Sequence, residues 1–213
     1  MLRPNAPSQG LDAIAGRLVR SAGAASVSQI WRVGVTFATH MALRRMIPPD
    51  EMGVWTWAEP LFLLLAQVRD LGLPGHVVRD RERPFGTFFA VELRWGGALT
   101  ALVLVAAPLL ALAYHDTDAG AVSVIRALCL FLFVQGLGQV PMVFFESEIE
   151  VQRTIPAELA RNTLFAILSL SLAMAGFGVW SLIWAHIAAG ALYAAMLWWA
   201  VRGRLPLDRR APS

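Results

Sequence analysis

Lysine is absent from this chain of 213 residues, so all 18 of its basic side chains are arginine. Charge of any sign is scarce, at 15% of residues, where globular domains carry about 25%. The one cysteine, Cys129, excludes an internal disulfide framework and a multi-cysteine metal site. Apolar side chains are in surplus, at 57% of the chain, and the mean hydropathy is +0.57. A fold facing water would leave much of that surface exposed, so the bilayer is the natural solvent. The net charge of +3 is then read as a topology signal rather than a nucleic-acid footprint, because loop arginines orient membrane helices.

Apolar stretches near the length needed to span a bilayer occur at Ala24–Leu43, Val54–Leu71, Phe88–Ala113, Ala121–Phe145, Ala157–Ala175 and Val179–Val201. Polar punctuation separates them: Arg44-Arg45 with Pro48 to Glu51, the run Arg79 to Pro84, His115 to Asp118, Glu146 to Arg153, and Gly176-Phe177-Gly178. The spacing predicts an all-α integral membrane protein of six transmembrane helices over residues 24–201. Residues 1–23 read as a cytoplasmic or interfacial leader, and 202–213 as a basic cytoplasmic tail. Leu11, Ile14, Leu18 and Val19 at helical spacing suggest an amphipathic segment within that leader.

With a cytoplasmic N-terminus, 13 arginines fall on inside segments, Arg69, Arg153 and Arg161 among them, and only Arg44 and Arg45 fall outside. That asymmetry predicts both termini in the cytoplasm. The alternating charges of Arg79 to Arg83 read as a solvated turn touching lipid head groups.

Three arginines remain within spans. Arg94 and Arg126 lie near helix ends, where snorkelling suffices. Arg32 lies near the middle of the first span, where a lone charge costs at least about 2.5–3.5 kcal/mol and must face protein or a water-filled cavity. Ser26, Gln29, Arg32, Thr36, Thr39 and His40 share one helical face, opposite Val27, Ile30, Trp31, Phe37 and Met41. Gln29, Arg32 and Thr36 are the candidate substrate-binding residues. Glu59 on the second span is within reach of Arg32 if the helices adjoin, either as a structural salt bridge or as a coupling carboxylate. Gln135 and Gln139 beside Gly136 and Gly138 read as a close-packing site.

No phosphate-cradling glycine loop, metal-binding histidine pair or nucleophile elbow is present, which predicts no catalytic residue, metal or cofactor.

The stretches Arg45–Gly53 and Asp70–Val78, then Gln135–Pro141, Ala157-Glu158-Leu159 and Gly176–Leu182, follow in an order and spacing that resembles the polysaccharide or O-antigen flippase family. That family lies within the multidrug, oligosaccharidyl-lipid and polysaccharide exporter superfamily. The resemblance implies a bacterial inner-membrane carrier of lipid-linked oligosaccharide, built from two helical lobes rocking around a cationic cavity. It implies that this chain supplies the N-terminal lobe and works with a second lobe or a second copy. A non-transporting scaffold or truncated remnant, and a multidrug antiporter of the same superfamily, are the alternatives.

Overall fold

The computed structural model describes residues 26, 29–70, 85–113 and 119–204. The expected leader, the Arg79 to Arg83 turn, the His115 to Asp118 loop and the tail beyond 204 lie outside the described residues. What is described is helix and turn. Helix α1 covers residues 29–46, α2 covers Pro49–Asp70 and α3 covers Phe85–Ala113. Helices α4 (Ala119–Leu137) and α5 (Gln139–Ser147) form one interrupted rod. A short 3-10 turn at Val151–Arg153 leads into α6 (Ile155–Met174), and α7 covers Trp180–Ala200.

Four segments are long and apolar enough to cross a membrane: Phe85–Leu112, Gly120–Ser147, Val151–Met174 and Trp180–Ala200. The chain is an all-α, multi-pass membrane protein. Two of the six expected spans are not in that set. Helix α1 is described only from residue 29, and α2 carries Asp50, Glu51, Glu59, Arg69 and Asp70 along its 22 residues.

Packing follows the placement of small residues. In α7, Ser181, Ala185 and Ala189 recur every fourth position and are buried, as are Ser169 and Ala173 of α6. Small side chains let two helix backbones approach closely where lipid offers no hydrophobic driving force. A second seam joins α3 and α4 through Leu99, Val103, Ala107 and Ala111 against Ala121, Ile125, Cys129 and Leu132. The opposite surface of α3 exposes Leu102, Val105, Leu109 and Leu112, as expected of a lipid-facing side. A third core gathers Phe85 and Phe88 with Val140, Phe144 and Phe145 of α5, Leu197 of α7 and Val201 just after it.

The interruption between α4 and α5 has a local cause. Pro141 carries no amide hydrogen and cannot donate to the carbonyl of Leu137. The chain turns at Gly138, and the freed Leu137 carbonyl accepts from the indole Nε1–H of Trp198 at 2.7 Å. Gly138 also lies against the Tyr193 ring, where an added Cβ would sit 3.4 Å from Cδ1.

Two polar links tie α2 to the bundle. Arg69, 1% exposed, forms an ion pair with Glu92 of α3, its Nε 3.1 Å from Oε1. The same guanidinium donates from Nη1 to the Leu132 carbonyl of α4 at 2.7 Å and contacts Asp70 at 3.3 Å. Gly136 makes room for the pair: a Cβ there would lie 3.2 Å from Glu92 Oε1 and 3.3 Å from Arg69 Nη1. Arg69, counted from sequence as a loop charge setting topology, is an interior residue. At the other end of α2, Glu51 accepts the backbone N–H of Val179 at 2.7 Å. Its negative charge thereby sits at the N-terminus of α7, where helix dipole and unpaired amides favour an anion.

Candidate functional site

A cavity of about 270 Å³ lies among α1, α2, α4, α6 and α7. The polar face of α1 forms one wall: Arg32, Thr36 and His40 line it, and Thr39 behind them is buried. The apolar face of α1 is turned outward, with Ile30, Trp31, Phe37 and Met41 exposed. The helix is therefore turned with Thr36, Thr39 and His40 toward the bundle and its apolar side outward, while Gln29 and Arg32 at its start remain exposed at the rim of the cavity.

Of the residues singled out from sequence, Arg32, Thr36 and Glu59 line this cavity. Gln29 stands beside it and orients Arg32: the Gln29 Oε1 accepts from Arg32 Nη2 at 2.8 Å and from Nε at 3.2 Å. Arg32 and Glu59 face the same space, but among the described residues no ion pair joins them. The buried ion pair of the bundle is Arg69–Glu92 instead, outside this cavity.

Several lining residues escaped the sequence reading. Arg161, read as a loop charge, sits in the second turn of α6 with its guanidinium 4.8 Å from the centre of the Tyr193 ring. No carboxylate pairs with it among the described residues. Asn162 beside it is 8% exposed. Gln135, read as a packing residue, also faces the cavity. Placing the half-buried Arg161 over Tyr193 gives its charge a polarisable face without neutralising it, so among the described residues the cavity is lined by two arginines, Arg32 and Arg161, and one carboxylate, Glu59.

The other end of the cavity is aromatic. His186 is enclosed by Phe165 at 4.3 Å, Phe131 at 5.1 Å and Trp55 at 5.2 Å between ring centres. Its Nδ1 lies 2.9 Å from the Leu182 carbonyl, and that of His40 lies 3.0 Å from the Thr36 carbonyl. Each contact suits an Nδ1–H donor, leaving Nε2 as the ring nitrogen without a protein partner. Among the described residues no group of three or more His, Cys, Asp or Glu side chains is arranged to hold a metal ion.

A cluster of two arginines and one glutamate joins the turn before α6 to the residues after α7, outside the cavity lining. Glu150 Oε2 accepts from Arg204 at 2.8 Å and lies 2.9 Å from Arg153 Nε. The Arg204 hydrogen bond holds the Glu150 carboxyl below its usual range, and the same contact raises the Arg204 guanidinium.

The chain is similar to the succinoglycan biosynthesis transport protein ExoT of Rhizobium meliloti (strain 1021), at 25% identity over 172 residues. The match covers 78% of this chain and 34% of that relative, so the chain spans about a third of the length of the curated protein it matches. No solved structure matches. The family described as polysaccharide biosynthesis protein matches residues 42–211. That span takes in the cavity residues of α2, α4, α6 and α7, the Arg69–Glu92 pair and the Glu51–Val179 contact, and the chain belongs to this family of polysaccharide biosynthesis proteins.

Proposed function

We propose that this chain is the N-terminal lobe of a flippase that carries undecaprenyl-pyrophosphate-linked oligosaccharide across the bacterial inner membrane, with both termini cytoplasmic and a second lobe or second copy closing the cavity. One observation carries the reading: Arg32 and Arg161 line one cavity within the helical bundle, and among the described residues neither is in an ion pair with a carboxylate. Arg32 is exposed on the open side of the cavity and Arg161 is half-buried, so both guanidiniums are free to meet an anionic ligand that enters it. The planar guanidinium offers two parallel donors that match phosphate oxygens. Family membership supports a saccharide cargo, and the name of the relative supports transport. One lobe supplies one side of an alternating-access movement, so the cargo passes only when the partner lobe is present.

In a two-lobed protein complemented by this chain, Arg32→Ala, Arg32→Lys and Arg161→Gln are expected to impair polymer export at near-normal membrane abundance. Glu59→Gln should impair export if Glu59 couples the movement. Reporter fusions after residue 213 and within 115–119 should report the cytoplasm and the exterior respectively. Full export by both Arg32→Ala and Arg161→Gln would overturn the reading in favour of a scaffold.

A further inference from the structure

Five buried side-chain polar atoms among the described residues lack a hydrogen-bond partner. Two of them, Arg69 Nε and Glu92 Oε1, face each other in the ion pair. The remaining three are Trp55 Nε1, Gln135 Oε1 and Asn162 Nδ2, and all three residues line the cavity that holds Arg32 and Arg161. They come from α2, α4 and α6, so the coincidence is not a property of one helix. Leaving a buried polar group unpaired costs about 1–3 kcal/mol. The three atoms are covered in the free protein, so each side chain turns slightly to meet a partner, and three such costs gathered in residues that line one cavity are a pattern expected of a site completed by a ligand.

The chemistry of the three atoms defines that ligand. Two are donors and one is an acceptor, so the partner must both accept and donate without bearing charge at that point. Hydroxyl groups do so, each offering one hydrogen and two lone pairs. Arg161 adjoins Asn162 in sequence and faces the same space, which places an anion next to the hydroxyls. The Phe131, Phe165 and Trp55 rings add apolar faces of the kind on which the C–H side of a sugar ring packs. A volume of about 270 Å³ is at the lower edge of the ~300–1,000 Å³ of small-molecule sites, enough for a head group and too little for a long glycan.

We infer that Trp55, Gln135 and Asn162 form a subsite for the hydroxyls of the first sugar attached to phosphate, beside a phosphate site at Arg32 and Arg161. The inference rests on the flippase reading for the phosphate site and adds the residues that distinguish a glycosyl phosphate from a bare one.

The test is equilibrium binding to the full chain in lipid nanodiscs, with glucose 1-phosphate and inorganic pyrophosphate as separate probes. Gln135→Leu and Asn162→Leu are each expected to weaken glucose 1-phosphate by about 3- to 10-fold and to leave pyrophosphate unchanged, which also serves as the folding control. Deoxy analogues of glucose 1-phosphate should bind the wild type more weakly and should not be further weakened by the matching variant. Arg32→Gln with Arg161→Gln should weaken both probes. If pyrophosphate binds the wild type but neither amide variant nor any deoxy analogue changes sugar phosphate binding, water completes the three atoms and the subsite is wrong. If pyrophosphate fails to bind the wild type at all, the phosphate reading fails first.

Discussion

Glu51 and Val179 are 128 residues apart in the chain, yet the carboxylate of one accepts the amide hydrogen of the other at 2.7 Å. The contact depends on Gly178, whose φ of +54° places it in the left-handed region and whose missing side chain leaves room for the Glu51 carboxylate. It joins the first turn of α2 to the turn before α7, within two of the stretches that carry the family resemblance. Gly178→Ala is expected to lower the thermal midpoint of the detergent-solubilised protein, since the left-handed conformation alone costs a non-glycine residue about 1–2 kcal/mol and the Cβ overlaps the carboxylate. Glu51→Ala should lower it by the ~0.5–2 kcal/mol of a lost N-terminal cap. An unchanged midpoint in both variants would show that the contact holds nothing.

Removing Arg69 strands the Glu92 charge in the interior, and removing Glu92 leaves the buried Arg69 with only the half-exposed Asp70 as its counter-charge. Arg69→Met and Glu92→Leu are each expected to cost about 3–5 kcal/mol, read as loss of folded, monodisperse protein after extraction. The double variant should recover much of that loss, because apolar residues often replace a buried pair at little cost. A double variant worse than either single would contradict this account.

Trp198→Phe leaves the Leu137 carbonyl without its indole donor and should destabilise by about 1–3 kcal/mol. Adding Pro141→Ala returns an amide hydrogen four residues after Leu137 and should rescue part of the loss. The cycle is read from the thermal midpoints of the two single variants and the double.

The Glu150 carboxyl is held below its usual value by Arg204. A lowered folded-state value contributes stability above the unfolded value of about 4.3 and loses it as pH falls through the folded value. The thermal midpoint of the wild type should therefore approach that of Glu150→Gln on acidification below about pH 4. The two should keep a constant gap between pH 6 and 8. Arg204 is raised by the same contact, so its contribution is present below the unfolded guanidinium value and is lost only in strong alkali, outside that window. A gap that persists unchanged at the acid end would remove this role from Glu150.

The helical, membrane-spanning character of the chain was legible because each span carries its signal locally, as a run of apolar residues closed by Arg, Pro or Gly. The polar face of α1 was legible for the same reason: Arg32 and Thr36 stand one turn apart on one helix, and periodicity alone places them together. Arg69 and Arg161 were not, since each lies a few residues from a polar boundary and reads as a loop charge. What makes Arg69 interior is Glu92 on another helix, and what places Arg161 is Tyr193, 32 positions further on. The same holds for Gln135, which looks like a packing residue until α6 and α7 bring Asn162 and His186 to face it. Local pattern gives the walls, and only the packing of one wall on another gives what they enclose.

Helix α2 is pinned at one end to α7 through Glu51 and at the other to α3 and α4 through Arg69. Within residues 29–46 of α1, by contrast, each side-chain hydrogen bond stays within the helix, from Arg32 to Gln29 and from His40 to Thr36. Three of the helices that line the cavity, α2, α4 and α7, are thus bolted by polar links, whereas α1 is a panel seated by ring and apolar contact, through His40 against Phe165 and through Leu43 and Ile47 near its far end. Changes to the bolts will register as loss of protein, whereas changes along the panel will register as loss of traffic in protein that is still there.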